Sequence, residues 1–393
     1  MMQRPDTHKT CPAALLNEDT LGDIFEACVA LDSPRGLDST STQTSATLDT
    51  RRTPWVLGQV CRNWRRIVLS SPLLWTSIDI QFDHHDNNAA RRVSFLLDLY
   101  LSRSASCLLS VNIHSSICFQ ENTPFFRSLL STSSRWYTLL IDIPISAYEI
   151  LSPLTGFLDS LAVLHIRLPH RNKSQAVKDF ANLKDGIRLF RFCNNLERLS
   201  LQNIPFPRDI FHLPWAKIQD LMVDTSSSLV SNSTTLRALH GLRNLTSCSL
   251  ECRFVTNHRN LQHLTLPFLQ SMTLLSAEHQ YDAEPVDDSG MEVAQMLSWL
   301  TLPALKHLRL RQKFKAELED SLVLEVIQLI RRSRCEIKAL QLHLYPSISE
   351  EGIISILKEV AASLEGLCLH PGHRNSRVMS ELRWRVPQSE ILV

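Results

Sequence analysis

Cys248, Cys252, His258 and His263 are the residues of this chain whose types and closeness could hold a metal ion. Their spacing matches none of the recurring zinc patterns, and Cys248 falls on an inward position of an expected strand. A place in the core is therefore the expectation, and no metal is assigned. His84, His85 and Asp86 also carry ligand chemistry, but they follow an expected strand in a polar stretch, where a solvated turn explains them. Ten cysteines are scattered without close pairing, which suggests reduced thiols and a cytoplasmic or nuclear setting. With ten glycines in 393 residues there is no glycine-rich phosphate loop, and neither a G-x-S-x-G elbow nor an H-E-x-x-H helix occurs. The expectation is a protein with no catalytic residue and no cofactor.

Charge narrows the partners further. Lysine and arginine total 41 against 40 acidic residues, a formal charge of +1, so no global field draws the chain to nucleic acid or anionic lipid. The densest apolar run, Leu322 to Ile330, is interrupted by Glu325 and Gln328 and is too short to span a bilayer. The first twenty residues lack the apolar core of a secretory signal. Hydrophobic content of 44% with 21% charged residues fits a folded chain, and the length exceeds one average domain. Neither a nucleic-acid nor a membrane partner is expected.

The elements that position everything else come in two styles. From Leu15 to Leu31, apolar residues recur at helical steps, with Asn17 placed as an N-cap and Glu18 and Asp19 suited to the first turn. Residues 32–53 are rich in serine, threonine and aspartate and read as a flexible insertion. Leu57, Val60, Cys61, Trp64, Ile67 and Val68 then form one helical stripe, stopped at Ser70-Ser71-Pro72 and followed by the apolar knot Leu73-Leu74-Trp75.

Thr76 to Phe82 alternates like a strand, and beyond Phe82 an apolar-x-x-apolar-x-apolar template recurs, each copy a turn leading into a short strand. Copies begin at Leu108, Trp136, Leu161, Leu196, Ile218, Leu245, Leu261, Leu269, Leu305, Ile337 and Leu364. Those at Leu261 and Leu269 are too close for both to own a full repeat, so one is expected to be a connecting strand or turn. Helical periodicity fills many of the gaps, including 91–104, 177–192, 290–300, 320–332 and 349–362. The fold expected is α/β: a small all-helical module, then an irregular solenoid with parallel strands on its concave face and helices on its convex face. The last residues either cover the final repeat through Trp384 and Val386 or belong to a shortened product.

Residues Leu15 to Ile80 resemble an F-box of the fungal type found ahead of leucine-rich repeats. Ile24, Phe25 and Cys28 match the first half of that pattern. Val60, Cys61, Trp64, Arg65, Ile67, Val68, Ser70, Pro72, Leu74 and Trp75 match the second. The chain departs at Leu16-Asn17-Glu18, where the family carries two prolines that rigidify the approach to the first helix. The phrases SWLTLPALKHLRL and ISEEGIISILKEVAASLEGLCL are similar to the family's repeat regions.

The resemblance implies an F-box at 13–80, a leucine-rich-repeat solenoid at 81–372 and a tail at 373–393. It implies docking on a Skp-type adaptor, and through it a cullin, with Leu15, Leu16, Leu21, Ile24, Phe25, Cys28, Val60, Trp64, Leu74 and Trp75 as adaptor-binding residues. Of these, Trp64 and Trp75 have an equal claim to internal packing. It further implies a protein substrate held by the repeats. Glu197, Arg198, Gln262, His263, Lys306, His307 and Gln341 are the positions of interest on the concave strands. The implied role is the substrate-recognition subunit of a Skp–cullin–F-box ubiquitin ligase. The alternative is a repeat-based interaction scaffold whose degenerate F-box has no ligase role.

Overall fold

Asn17 opens the first helix: its Oδ1 accepts from the Thr20 amide at 2.7 Å, and Glu18 and Asp19 follow in the first turn of α1 (Glu18–Asp32). In the computed structural model, which describes residues 16–32, 48–81, 87–115, 124–168, 186–204, 210–224, 232–252, 263–276, 291–311, 319–343, 348–369 and 390–392, α1 begins the first of two compact units. These units are Met1–Ile143 and Pro144–Val393, so the helical segment shares its unit with the first strands.

The helix expected across Trp55–Ser70 is broken. A short turn, α2 (Leu57–Val60), ends at Cys61, whose extended backbone (φ −157°) makes it the N-cap of α3 (Arg62–Ser70). The Cys61 Sγ accepts from the Trp64 amide, and Arg65 Nε donates to the Gly58 carbonyl at 2.8 Å, which serves one carbonyl that the break leaves over. The break separates the expected stripe: Leu57, Ile67 and Val68 are buried, Trp64 is half-buried, and Val60 and Cys61 are exposed. Pro72 stops α3, and a 3-10 turn (Pro72–Trp75) carries Trp75 into the interior.

Of the polar stretch 32–53, residues 33–47 lie outside those described. The end of that stretch is structured, contrary to the expectation of a flexible insertion. Leu48 is buried, and Thr53 Oγ1 donates to Asp32 Oδ2 at 2.7 Å, an anchor between the end of α1 and the turn before α2.

β1 (Ser77–Gln81), α4 (Asn87–Arg103), β2 (Leu109–His114), α5 (Pro124–Leu130) and β3 (Trp136–Asp142) complete the first unit. The three strands pair in parallel and in order, with Ile80 opposite Ile113 and Ile113 opposite Ile141. Ile78, Ile80, Val111, Ile113, Leu139 and Ile141 fill one face of the sheet, each worth about 1.5–3 kcal/mol of burial. Arg135 fastens the chain before β3 to the chain before β2, donating to the Cys107 carbonyl at 2.9 Å and to Ser104 Oγ at 2.8 Å.

The second unit repeats this scheme. A ten-residue 3-10 segment (Ile145–Leu154) precedes β4 (Val163–Arg167), β5 (Arg198–Gln202), β6 (Asp220–Asp224), α6 (Asn232–Leu239) and β7 (Ser247–Cys252). Then come β8 (Leu264–Thr265), β9 (Ser271–Ser276), α7 (Met291–Ser298), β10 (Leu300–Thr301), β11 (His307–Arg311) and α8 (Glu319–Ser333). β12 (Ala339–His343), α9 (Glu350–Val360), β13 (Gly366–Leu369) and β14 (Glu390–Leu392) close the unit. The main sheet here is parallel, in the order β4-β5-β6-β7-β9-β11-β12-β13-β14. This is a mixed α/β fold on a large parallel sheet, and strands added in chain order are compatible with a solenoid-like array.

Every template copy coincides with a strand. The one beginning at Leu261 yields only β8, which leaves the main sheet and pairs with β10. The spacing conflict between Leu261 and Leu269 is thereby resolved: β9 takes the place beside β7. The helix expected over 177–192 is absent from 186 onward. Ile187 instead makes a parallel bridge to Phe211, and Gly186 has a positive φ of 63°. In the tail, β14 extends the sheet beside β13, whereas Trp384 and Val386 lie outside the described residues.

Helix packing ties neighbouring repeats together. Arg332 at the end of α8 donates to the Leu297 and Leu300 carbonyls at 2.8 and 2.9 Å, so a cation serves the carboxyl end of α7. Ser349 caps α9, its Oγ accepting from the Gly352 amide at 3.1 Å. A Cβ at Gly352 would stand 2.8 Å from Val323 Cγ2 on α8. Gly352→Ala is therefore expected to destabilise the second unit by about 1–2 kcal/mol, although alanine favours a helix over glycine by roughly 1 kcal/mol. Thermal unfolding checks the sign; an unchanged or raised midpoint would show that α8 and α9 part without cost.

Candidate functional site

Among the described residues, the helical segment carries a set of exposed apolar side chains. On α1, Leu21 and Phe25 point inward, and Phe25 packs against Trp64 with ring centroids 4.8 Å apart. Ile24 and Leu31 recur at a step of seven, which puts them on a second stripe of α1, and both are exposed, Leu31 by 68%; Leu16, just before the Asn17 cap, is exposed as well. Val60, Leu69 and Leu73 are also exposed, Val60 by 59%. α1 is held to α3 by an ion pair between Glu18 and Arg66, both in solvent, and each charge holds its partner in the ionised form.

Of the expected adaptor-binding residues, Leu16, Ile24 and Val60 are therefore presented to solvent, Cys28 and Trp64 are half-buried, and Leu15 lies outside the described residues. Leu21, Phe25, Leu74 and Trp75 are buried. The corrected assignment for these four is internal packing: Phe25 lies against Trp64, Trp75 lies against Trp55 and Tyr100, and Leu21 and Leu74 are buried. Leu31, Leu69 and Leu73 were not singled out from the sequence. Leu31 could have been found as the i+7 neighbour of Ile24.

The second candidate is the polar face of the main sheet in the second unit. Arg198 begins β5 opposite Asp220, while Lys306 and His307 lie at the start of β11, all on the exposed or half-buried side. Gln341, in the middle of β12, accepts from Arg309 Nε of β11. The structure thus brings Lys306, His307 and Gln341 onto adjacent strands. Glu197 is exposed just before β5, and His263 is exposed at β8, off the main sheet. Gln262 lies outside the described residues. Missed from the sequence were Asp224, Glu251, Arg309 and Arg311, which occupy the alternating outward positions of the same template copies.

Cys248 and Cys252 are both buried on the core face of β7, and burial drives the Cys248 thiol far above its ordinary pKa, so it stays protonated. His258 and the His84-His85-Asp86 run lie outside the described residues, and among the described residues no group of three or more His, Cys, Asp or Glu side chains is arranged to hold a metal ion. In the first unit an open pocket of about 700 Å³ is lined by Asp49, Arg51, Asp79, Gln81, Arg92 and Phe95. Behind it, His114 lies 3.5 Å from both Asp79 and Asp142. No helix among the described residues is long and apolar enough to cross a membrane.

Comparison with protein-family models and with curated proteins returned no match.

Proposed function

We propose that this protein is the substrate-recognition subunit of a Skp–cullin–F-box type ubiquitin ligase: a non-enzymatic receptor whose helical segment docks on a Skp-type adaptor and whose repeats hold a protein substrate. Its setting in this reading is the cytoplasm or nucleus. The observation that carries the reading is the double-faced α1, with Leu21 and Phe25 turned in and Ile24 and Leu31 turned out, and Leu16 exposed just ahead of its cap. A helix that serves only its own core needs one apolar stripe, and a second one, beside exposed Val60, Leu69 and Leu73, is suited to a partner helix. The resemblance of Val60 to Trp75 to the second half of an F-box supports the same partner.

The full chain is expected to form a stoichiometric complex with a fungal Skp-type adaptor in size-exclusion chromatography. Ile24→Glu with Leu31→Glu should weaken that complex at least a hundredfold, since each buries a charge in an apolar contact, at about 2 kcal/mol or more apiece. Both positions are exposed, so circular dichroism should not change. Absence of a wild-type complex, or equal binding by the double variant, sinks the reading. The absence of the family's two prolines before α1, where Asn17 caps instead, favours the scaffold alternative. A full chain that captures a protein partner but no adaptor would decide for it.

A further inference from the structure

Parallel register decides which outward charges of the second unit can pair within it. Arg198 on β5 stands opposite Asp220 on β6, and Lys338, just before β12, is met by Glu365 at 2.6 Å. β11 is different. Its outward positions are His307, Arg309 and Arg311, with Lys306 just ahead, and all four residues are exposed. On one side β9 sets Ser271, Thr273 and Leu275 opposite the three, and on the other β12 sets Ala339, Gln341 and His343. Neither neighbouring strand contains a carboxylate. Arg309 Nε donates to the neutral Gln341, and no ion pair holds any of the four cationic-type side chains. Glu251, in the row of Arg311, is buried and two strands away, about 10 Å between backbones. Beside the strip, β9 and β7 present Ser271, Thr273, Ser247 and Ser249, all half-buried. Side chains that short, next to arginines, leave room for an extended chain and offer it hydroxyls.

We infer that β11, with the low ground beside it, binds an extended acidic segment of a partner protein that carries Asp or Glu at alternate positions. Outward residues of β11 recur every two residues, about 6.6 Å, and so do the side chains on one edge of an extended segment. One carboxylate meets Arg309 and the next but one meets Arg311, and a guanidinium can serve both oxygens of each. A third carboxylate reaches His307 and Lys306. The residues between them turn toward the hydroxyls of β9 and β7, where no positive charge waits, so small polar residues suit those places. A nucleic acid fits less well. The strip is one strand wide and about 13 Å long, and a formal charge of +1 supplies no wider basic field around it.

This inference rests on the reading of the repeats as the substrate-holding surface and names the class of segment held there. It is tested on the full chain by fluorescence anisotropy, with labelled dodecapeptides of alternating Glu-Ser, Gln-Ser and Lys-Ser and with a twelve-nucleotide oligothymidylate. The Glu-Ser peptide is expected to bind at least about tenfold more tightly than the other three, and to weaken as salt is added. Arg309→Gln with Arg311→Gln should cost it about tenfold or more. Arg237→Gln with Arg243→Gln removes the same charge from exposed positions in and after α6 and should bind the peptide as wild type does. All four arginines are exposed, so circular dichroism should not change in either variant. Equal binding of the acidic and neutral peptides, tighter binding of the oligothymidylate, or equal losses in the two variants overturns the inference. Adaptor binding is read separately on the same proteins and should be untouched by either pair of substitutions. A chain that binds adaptor but does not prefer the acidic peptide therefore refutes the strip alone, and one that binds the peptide but no adaptor refutes the ligase role alone.

Discussion

Trp75→Ala is expected to cost the first unit about 4 kcal/mol or to unfold it outright, the usual range for emptying a buried aromatic site being ~3–5 kcal/mol. Trp75 has no exposed surface. Its ring meets Trp55 edge-on at 5.0 Å and Tyr100 at 5.1 Å, and the Arg103 guanidinium lies 4.2 Å from its centroid. Its indole Nε1 donates to the Val68 carbonyl at 2.9 Å. Removal would leave Arg103, whose pKa burial already lowers, without one of the two rings it stacks on. Two companions separate packing from hydrogen bonding. Trp75→Phe should cost only about 1–3 kcal/mol, mainly the orphaned Val68 carbonyl. Leu73→Ala, on the exposed side of the same turn, should stay below about 1 kcal/mol. Denaturant titration followed by the fluorescence of the remaining tryptophans gives the ranking, and a loss below about 1.5 kcal/mol for Trp75→Ala would mean that the unit does not depend on this cluster.

The strands were legible because their information is local. Leu340 and Leu342, or Leu199 and Leu201, alternate inward with a period of two, and an apolar residue three positions ahead marks the turn. The pairing of each strand with its predecessor then follows from repetition alone. What escaped the sequence depends on contacts across distance. A cysteine that breaks a helix is not visible at Cys61, because the stripe Leu57–Val68 keeps helical steps on either side of it. Phe25 and Ile24 are adjacent apolar residues on one helix, and only the position of Trp64 decides which of them is covered. The helix expected up to Phe192 gave way to a bridge between Ile187 and Phe211, a partner that lies 24 residues on. The order of the outward side chains needed one further fact, that β8 stands aside and β9 takes its place beside β7, which puts Leu275 next to Glu251. Strand positions thus come from pattern, while the chemistry of the surface comes from register.

Asp79 shows the same limit and gives the second large effect. It sits on the polar side of β1, where alternation expects solvent, yet it is only 3% exposed. Burial pushes its carboxyl up to about 6, and the nearby charges of His114 and Arg52 pull the other way without prevailing. The unfolded chain releases this proton near the ordinary 3.8, so between roughly pH 4 and 6 the native state holds a proton that the unfolded state does not. Stability contributed by the protonated group is complete below the unfolded value and is lost as the pH rises through 6, at about 1.4 kcal/mol per unit and about 3 kcal/mol in all. Asp79→Asn keeps the shape and removes the charge. It should therefore match wild type near pH 4 and exceed it by up to about 3 kcal/mol at pH 8. His114, 3.5 Å from both Asp79 and Asp142, is present in both proteins, so the informative quantity is the difference between the two profiles. Urea unfolding at pH 4, 6 and 8, read from the tryptophans of the first unit, supplies it. Parallel profiles would show that Asp79 titrates alike in the folded and unfolded chain, so that burial does not raise it. A wild type that is more stable than the variant at pH 8 would show that its charge is a net asset, held by His114 and Arg52 more firmly than burial opposes it.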